Sequence, residues 1–144
     1  MSSEEPTGKG EFFMSDIEKA RDMQIFARKD FDALRGMGDN PLFSDEIYGF
    51  HAQQAIEKSL KAWIASKSLE FPLTHDLKRL LLVLQQTGES VDCFLPLIRY
   101  TIFSVLARYE NGILDTEEGF DRKEILEEVR QLLVHVEAKI SVAS

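Results

Sequence analysis

Four polar side chains, His51, Gln54, Lys58 and Lys61, recur at three- and four-residue spacing in the segment FHAQQAIEKSLKAWI, residues 50–64. On an α-helix turning about 100° per residue they fall within about a quarter of the circumference, while Ala52, Ala55, Ile56, Ser59, Leu60, Ala62 and Trp63 occupy the opposite side. An imidazole, an amide and two ammonium groups in one row form a donor set suited to holding an anion such as phosphate. Glu57 stands at the edge of the row, within reach of Lys58, Lys61 or a neighbouring arginine. An amphipathic helix whose outer face is simply solvated has the same pattern, so spacing alone leaves both readings open.

The aromatic-His-Ala-x-Gln start of this segment and its Glu-Lys-x-x-Lys-Ala core resemble the most recognisable motif of HEPN domains. The likeness continues in Thr74-His75-Asp76-Leu77, after a proline-containing linker, and in Arg108-Tyr109. It implies a bundle of four or five helices, a homodimer, a nucleotide ligand, and a minimal nucleotidyltransferase as partner in a toxin–antitoxin pair. Carried over residue by residue, it also implies that Arg108 grips a phosphate and that Tyr109 stacks on a base or bonds to the row of His51, Gln54, Lys58 and Lys61. Glu110 stands where the family often has proline, adding a local acid that weakens anion binding. An internal ion pair between Arg108 and Glu57 is the competing role for that arginine.

Some HEPN proteins are metal-independent RNases, and these carry an arginine followed, after four to six residues, by a histidine that serves acid–base chemistry. No histidine follows Arg108 at that distance, nor Arg99. Arg130 and His135, in RQLLVH, have the spacing but would stand about 140° apart on a helix, a poor geometry for one site. His135 also flanks the apolar stripe Leu132, Val136 and Ile140, where partial burial is the commoner role. The resemblance therefore points to a binding module rather than an enzyme, with an RNase and a pure protein-interaction module as alternatives. His75 begins a helix and is either turned toward the polar row or purely structural. No glycine-rich phosphate loop, HExxH or Ser-His-Asp set is present, so no catalytic residue, metal or cofactor is expected.

The elements that must position these groups read as helices. Ile17, Ala20, Ala27, Phe31 and Leu34 recur at helical spacing from Ser15 until Gly36 and Gly38 stop the run. Ser44 caps a second helix that continues to about Ser68. Thr74 is placed to cap a third, HDLKRLLLVLQQ, ending before Gly88. A fourth begins at Asp92, with Pro96 in its first turn, and closes at Asn111-Gly112. Asp121 and Glu124 form a near capping box for a fifth, striped by Ile125, Val129, Leu132, Leu133, Val136 and Ile140. No stretch alternates as a strand does, so the expected fold is all-α, an up-and-down antiparallel bundle of about five helices over 15–144, behind a flexible tail at 1–14.

Bulk composition fits a single domain: 144 residues, 44% hydrophobic and 29% charged. A formal net charge of −8 argues against an extended nucleic-acid surface, since phosphate backbones demand clustered Lys and Arg. Cys93 is the sole cysteine, so no intrachain disulfide can form, and the simplest setting is the reducing cytoplasm. No apolar run approaches the length of a membrane span.

Overall fold

The computed structural model describes residues 15–106 and 120–143, all within or between helices. Helix α1 spans Asp16–Met37, α2 Asp45–Ser66 and α3 Leu77–Gln86; a 3-10 helix, Asp92–Ile102, runs into the short α4, Phe103–Leu106; α5 spans Arg122–Ala143. The all-α bundle is the expected one. Residues 1–14 and the expected stop at Asn111-Gly112 lie outside the described residues.

Local chemistry sets most of the boundaries. Ser15 caps α1 in a capping box with Glu18, and Gly38, at φ +49°, ends it in a backbone conformation that suits glycine. The Ser44 hydroxyl accepts from the Ile47 N–H to start α2. The cap of α3 is Asp76, which accepts from Lys78 N–H, and not Thr74, whose hydroxyl instead accepts from Asp76 N–H one turn too early. The fourth expected helix is 3-10 over most of its length. Val91 offers no capping oxygen and Pro96 no N–H, and the chain takes the tighter winding. Asp121 caps α5 through the N–H groups of Lys123 and Glu124.

Helix α2 is the centre of the bundle and packs against every other described helix. Ala52, Ala55, Ile56, Leu60, Ala62 and Trp63 are fully buried, the apolar side expected from their spacing. Contacts fix the running directions. Gln24 meets Ser59 while Asp30 meets His51, so α1 runs against α2. At the end of α2, Ser68 adopts a left-handed conformation, φ +60°, and the extended linker 69–76 leads the chain back beside Gln53 and Glu57. Helix α3 therefore restarts level with the middle of α2 and runs in the same direction, finishing where Glu89 meets Trp63 and Lys67. This return brings residues 71–76 over the polar side of α2.

Candidate functional site

The row on α2 is not an open face but is seated on two buried carboxylates. Asp30, from α1, is 8% exposed and takes two partners: its Oδ1 lies 2.8 Å from His51 Nδ1 and its Oδ2 accepts from Lys58 Nζ at 2.7 Å. Glu57, on α2 itself, is 4% exposed and takes three. Lys61 Nζ donates to its Oε2 at 2.8 Å, while Gln53 Nε2, at 2.8 Å, and His75 Nδ1, at 2.9 Å, meet its Oε1. Gln54 Nε2 donates to Gln53 Oε1 at 2.7 Å, and Gln53 also reaches the His75 carbonyl at 3.3 Å. The two halves form one strip, because Gln54 stands one helical turn from both His51 and Lys58.

The structure thus chooses among the roles left open by the sequence. Glu57 pairs with Lys61 and not Lys58, and His75 is turned toward α2. Lys61 is buried rather than presented outward, with Nζ 5.5 Å from the centroid of the linker ring Phe71. Lys58 and His51 keep 29% and 33% of their side-chain surface, and His75 keeps 63%. Arg108 and Tyr109 lie outside the described residues.

Electrostatics follow from the geometry. Burial alone would raise the Asp30 carboxyl, but hydrogen bonds from His51 and Lys58 outweigh it and hold the group below its ordinary value. For Glu57 burial likewise opposes ionisation and is overcome by Lys61, His75 and Gln53. With both carboxylates ionised, each imidazole Nδ1 carries its hydrogen toward the carboxylate, and each Nε2 is left as the lone-pair nitrogen. The strip therefore combines ammonium groups, an amide and two oriented imidazoles. Among the described residues no His, Cys, Asp and Glu are grouped to hold a metal.

Asp30 and Gln53 were not singled out in the sequence. Asp30 left a signal, a carboxylate three residues after Ala27 and four before Leu34 in the apolar seam of α1. Gln53, fully buried, hides behind Gln54 in the pair Gln53-Gln54.

Arg130 and His135 serve separate surroundings. Arg130 donates to Glu127 on the exposed side of α5. His135 packs beside Trp63 and Phe94, ring centroids 4.8 and 5.1 Å away. Arg99 is also structural, donating to both oxygens of Glu128 at 2.7 and 2.9 Å and so tying the 3-10 helix to α5. Arg122 joins α5 to the loop before α2, bonding Asp45 and the carbonyls of Gly38, Asn40 and Phe43, and stacks over Tyr48. Two cavities lie apart from the strip, one of about 660 Å³ around Phe43, Asp45 and Arg122, the other of about 480 Å³ between α1 and α5.

An all-α bundle whose central helix carries a His/Gln/Lys row anchored on buried carboxylates defines a small helical module with a preorganised polar strip. The family model for the HEPN domain matches residues 27–139, most of the chain, and the protein belongs to the HEPN family. Neither curated proteins nor solved structures give a match.

Proposed function

We propose that this HEPN protein is a non-catalytic module that binds a phosphate-bearing ligand, nucleotides foremost, on His51, Gln54, Lys58 and Lys61, with Arg108 and Tyr109 completing the site. In this reading it works in the cytoplasm as a homodimer, paired with a nucleotidyltransferase in a toxin–antitoxin type of system. One observation carries the ligand reading: two carboxylates are buried solely among groups of the polar row. Buried ion pairs contribute little net stability compared with apolar packing, so a fold gains little by keeping them. Donors held at fixed positions before a ligand arrives are what an anion site needs, because binding then costs less ordering.

A thermal-shift series with nucleoside mono-, di- and triphosphates tests it. A ligand that binds only the folded chain at about 100 times its Kd adds about 2.7 kcal/mol of stability, a readily measured rise in melting temperature. That rise should vanish in Lys58→Ala/Arg108→Ala. No rise with any nucleotide, or the same rise in the variant, refutes the site. Light scattering reads the homodimer, and co-purification with a nucleotidyltransferase reads the partner. Among the described residues no helix is long and apolar enough to cross a membrane. Nothing in the surroundings of Arg130 and His135 favours the RNase alternative.

A further inference from the structure

The polar strip is electrically balanced as it stands. Asp30 and Glu57 supply two negative charges, and Lys58 and Lys61, each in contact with one of them, two positive ones. An anion approaching a strip with no net charge gains little Coulomb attraction unless charge is added. The groups that add it near neutral pH are the histidines, and both rest on the same two carboxylates.

The geometry leaves each imidazole one place for a proton. Nδ1 already carries a hydrogen pointed at Asp30 or Glu57, so the proton goes to Nε2, and the ring need not turn. Around His51 stand Asp30 of α1, Lys58 of α2 and the Phe50 ring, whose centroid is 5.5 Å away. Around His75 stand Glu57, Lys61 on the other oxygen of Glu57, and the Gln53 amide; Asp76 follows in the chain. In each half one carboxylate favours the added charge and one ammonium opposes it. An arriving anion tips that balance. Two protonated imidazoles match the double negative charge of a phosphate monoester, whereas a phosphodiester brings a single charge.

We infer, resting on the phosphate reading above, that the strip takes up its ligand together with protons on His51 and His75, and so selects a terminal phosphate monoester over the singly charged diester of a polynucleotide backbone.

Isothermal titration of the intact protein at pH 7.5 tests this, with the four 5′-ribonucleoside monophosphates as probes in buffers of different ionisation enthalpy. At that pH the monoester is mainly a dianion, its second pKa lying near ~6, so protons counted on binding go to the protein. The expected count is about one to two protons taken up per ligand. His51→Asn and His75→Asn keep an amide N–H toward each carboxylate but accept no proton. Each should lower the count and weaken binding by roughly tenfold, equivalent to about one pKa unit of lost coupling. The corresponding dinucleoside phosphates should bind at least ~10-fold more weakly than the monoesters, for want of the second charge. Binding without proton uptake, an unchanged count in folded Asn variants, or equal affinity for the diester overturns the inference and leaves the phosphate reading standing. No binding of any monophosphate overturns both. The proton count of the unmodified protein decides the matter even where a variant fails to fold.

Discussion

Along α2 the bundle treats histidine in two opposite ways. Beside the first half of the helix, His51 and His75 each hand Nδ1–H to a buried carboxylate and keep part of the ring in contact with solvent. Beside its far end, His135 lies against Trp63 and Phe94, and its Nε2 is buried with no hydrogen-bond partner among the described residues. Lys67 and Lys139 are nearby but both are committed to Glu89, whose carboxyl they hold at about 2, Lys67 contributing most. Burial, then Lys139, pushes the His135 imidazole down, with Glu89 opposing. What separates the two settings is the carboxylate: where one is supplied, the ring is oriented and ready to accept charge, and where none is, the ring behaves as a flat piece of core.

That contrast breaks most visibly at Glu57. Glu57→Ala leaves the buried Lys61 ammonium and the His75 ring without their acceptor, and stranding a buried charge costs about 3–5 kcal/mol. Urea denaturation at neutral pH should show a loss of that size; a loss under about 1 kcal/mol would mean the carboxylate does not organise the strip.

His135→Phe should behave in the opposite sense, since it fills the same aromatic slot without an unpaired nitrogen. At pH 7 it should be neutral or stabilising by up to about 1 kcal/mol. Its sharper signature is in pH dependence. The folded-state value of His135 is depressed below the ordinary 6.5, so as pH falls through 6.5 the unfolded chain takes a proton that the folded one refuses, and stability declines. Asp30 and Glu57 act lower down. Their folded values lie under the ordinary 3.8 and 4.5, so the stability they contribute at neutral pH is lost only as pH falls past those values. Acid titration of stability should therefore show two stages, and His135→Phe should erase the first and spare the second. Survival of the first stage in that variant would place its source elsewhere.

The smallest effect is expected at Arg130. Its partner Glu127 sits on an exposed surface, with both side chains about half accessible, and such pairs contribute little. Arg130→Ala should leave both the melting temperature and nucleotide binding unchanged, whereas a loss of binding would revive the pairing of Arg130 with His135.

Much of the bundle was legible in the chain. The caps Ser15, Ser44 and Asp121, the stop at Gly38 and the apolar stripes of α1, α2 and α5 are all written within a few residues of where they act. Helix type in the fourth segment was not, because winding there depends on how Phe94, Leu97 and Tyr100 pack as well as on Pro96. Gly49 read as an ordinary helical residue, yet a Cβ there would overlap the Phe103 ring, so glycine is what lets α4 approach α2. In the site, the row of His51, Gln54, Lys58 and Lys61 was visible as a period, while its partners were not.

The sequence by itself determined that five helical segments form and that α2 has a polar side, because spacing and capping act over one or two turns. Only the tertiary structure decided that Asp30 would meet His51 and Lys58, and that a left-handed turn at Ser68 would return the chain to set His75 on Glu57. Those contacts join residues 18 to 28 positions apart across separate elements. Which carboxylate meets which cation depends on the packing of whole helices, where burial strengthens each charge and leaves it no solvent alternative.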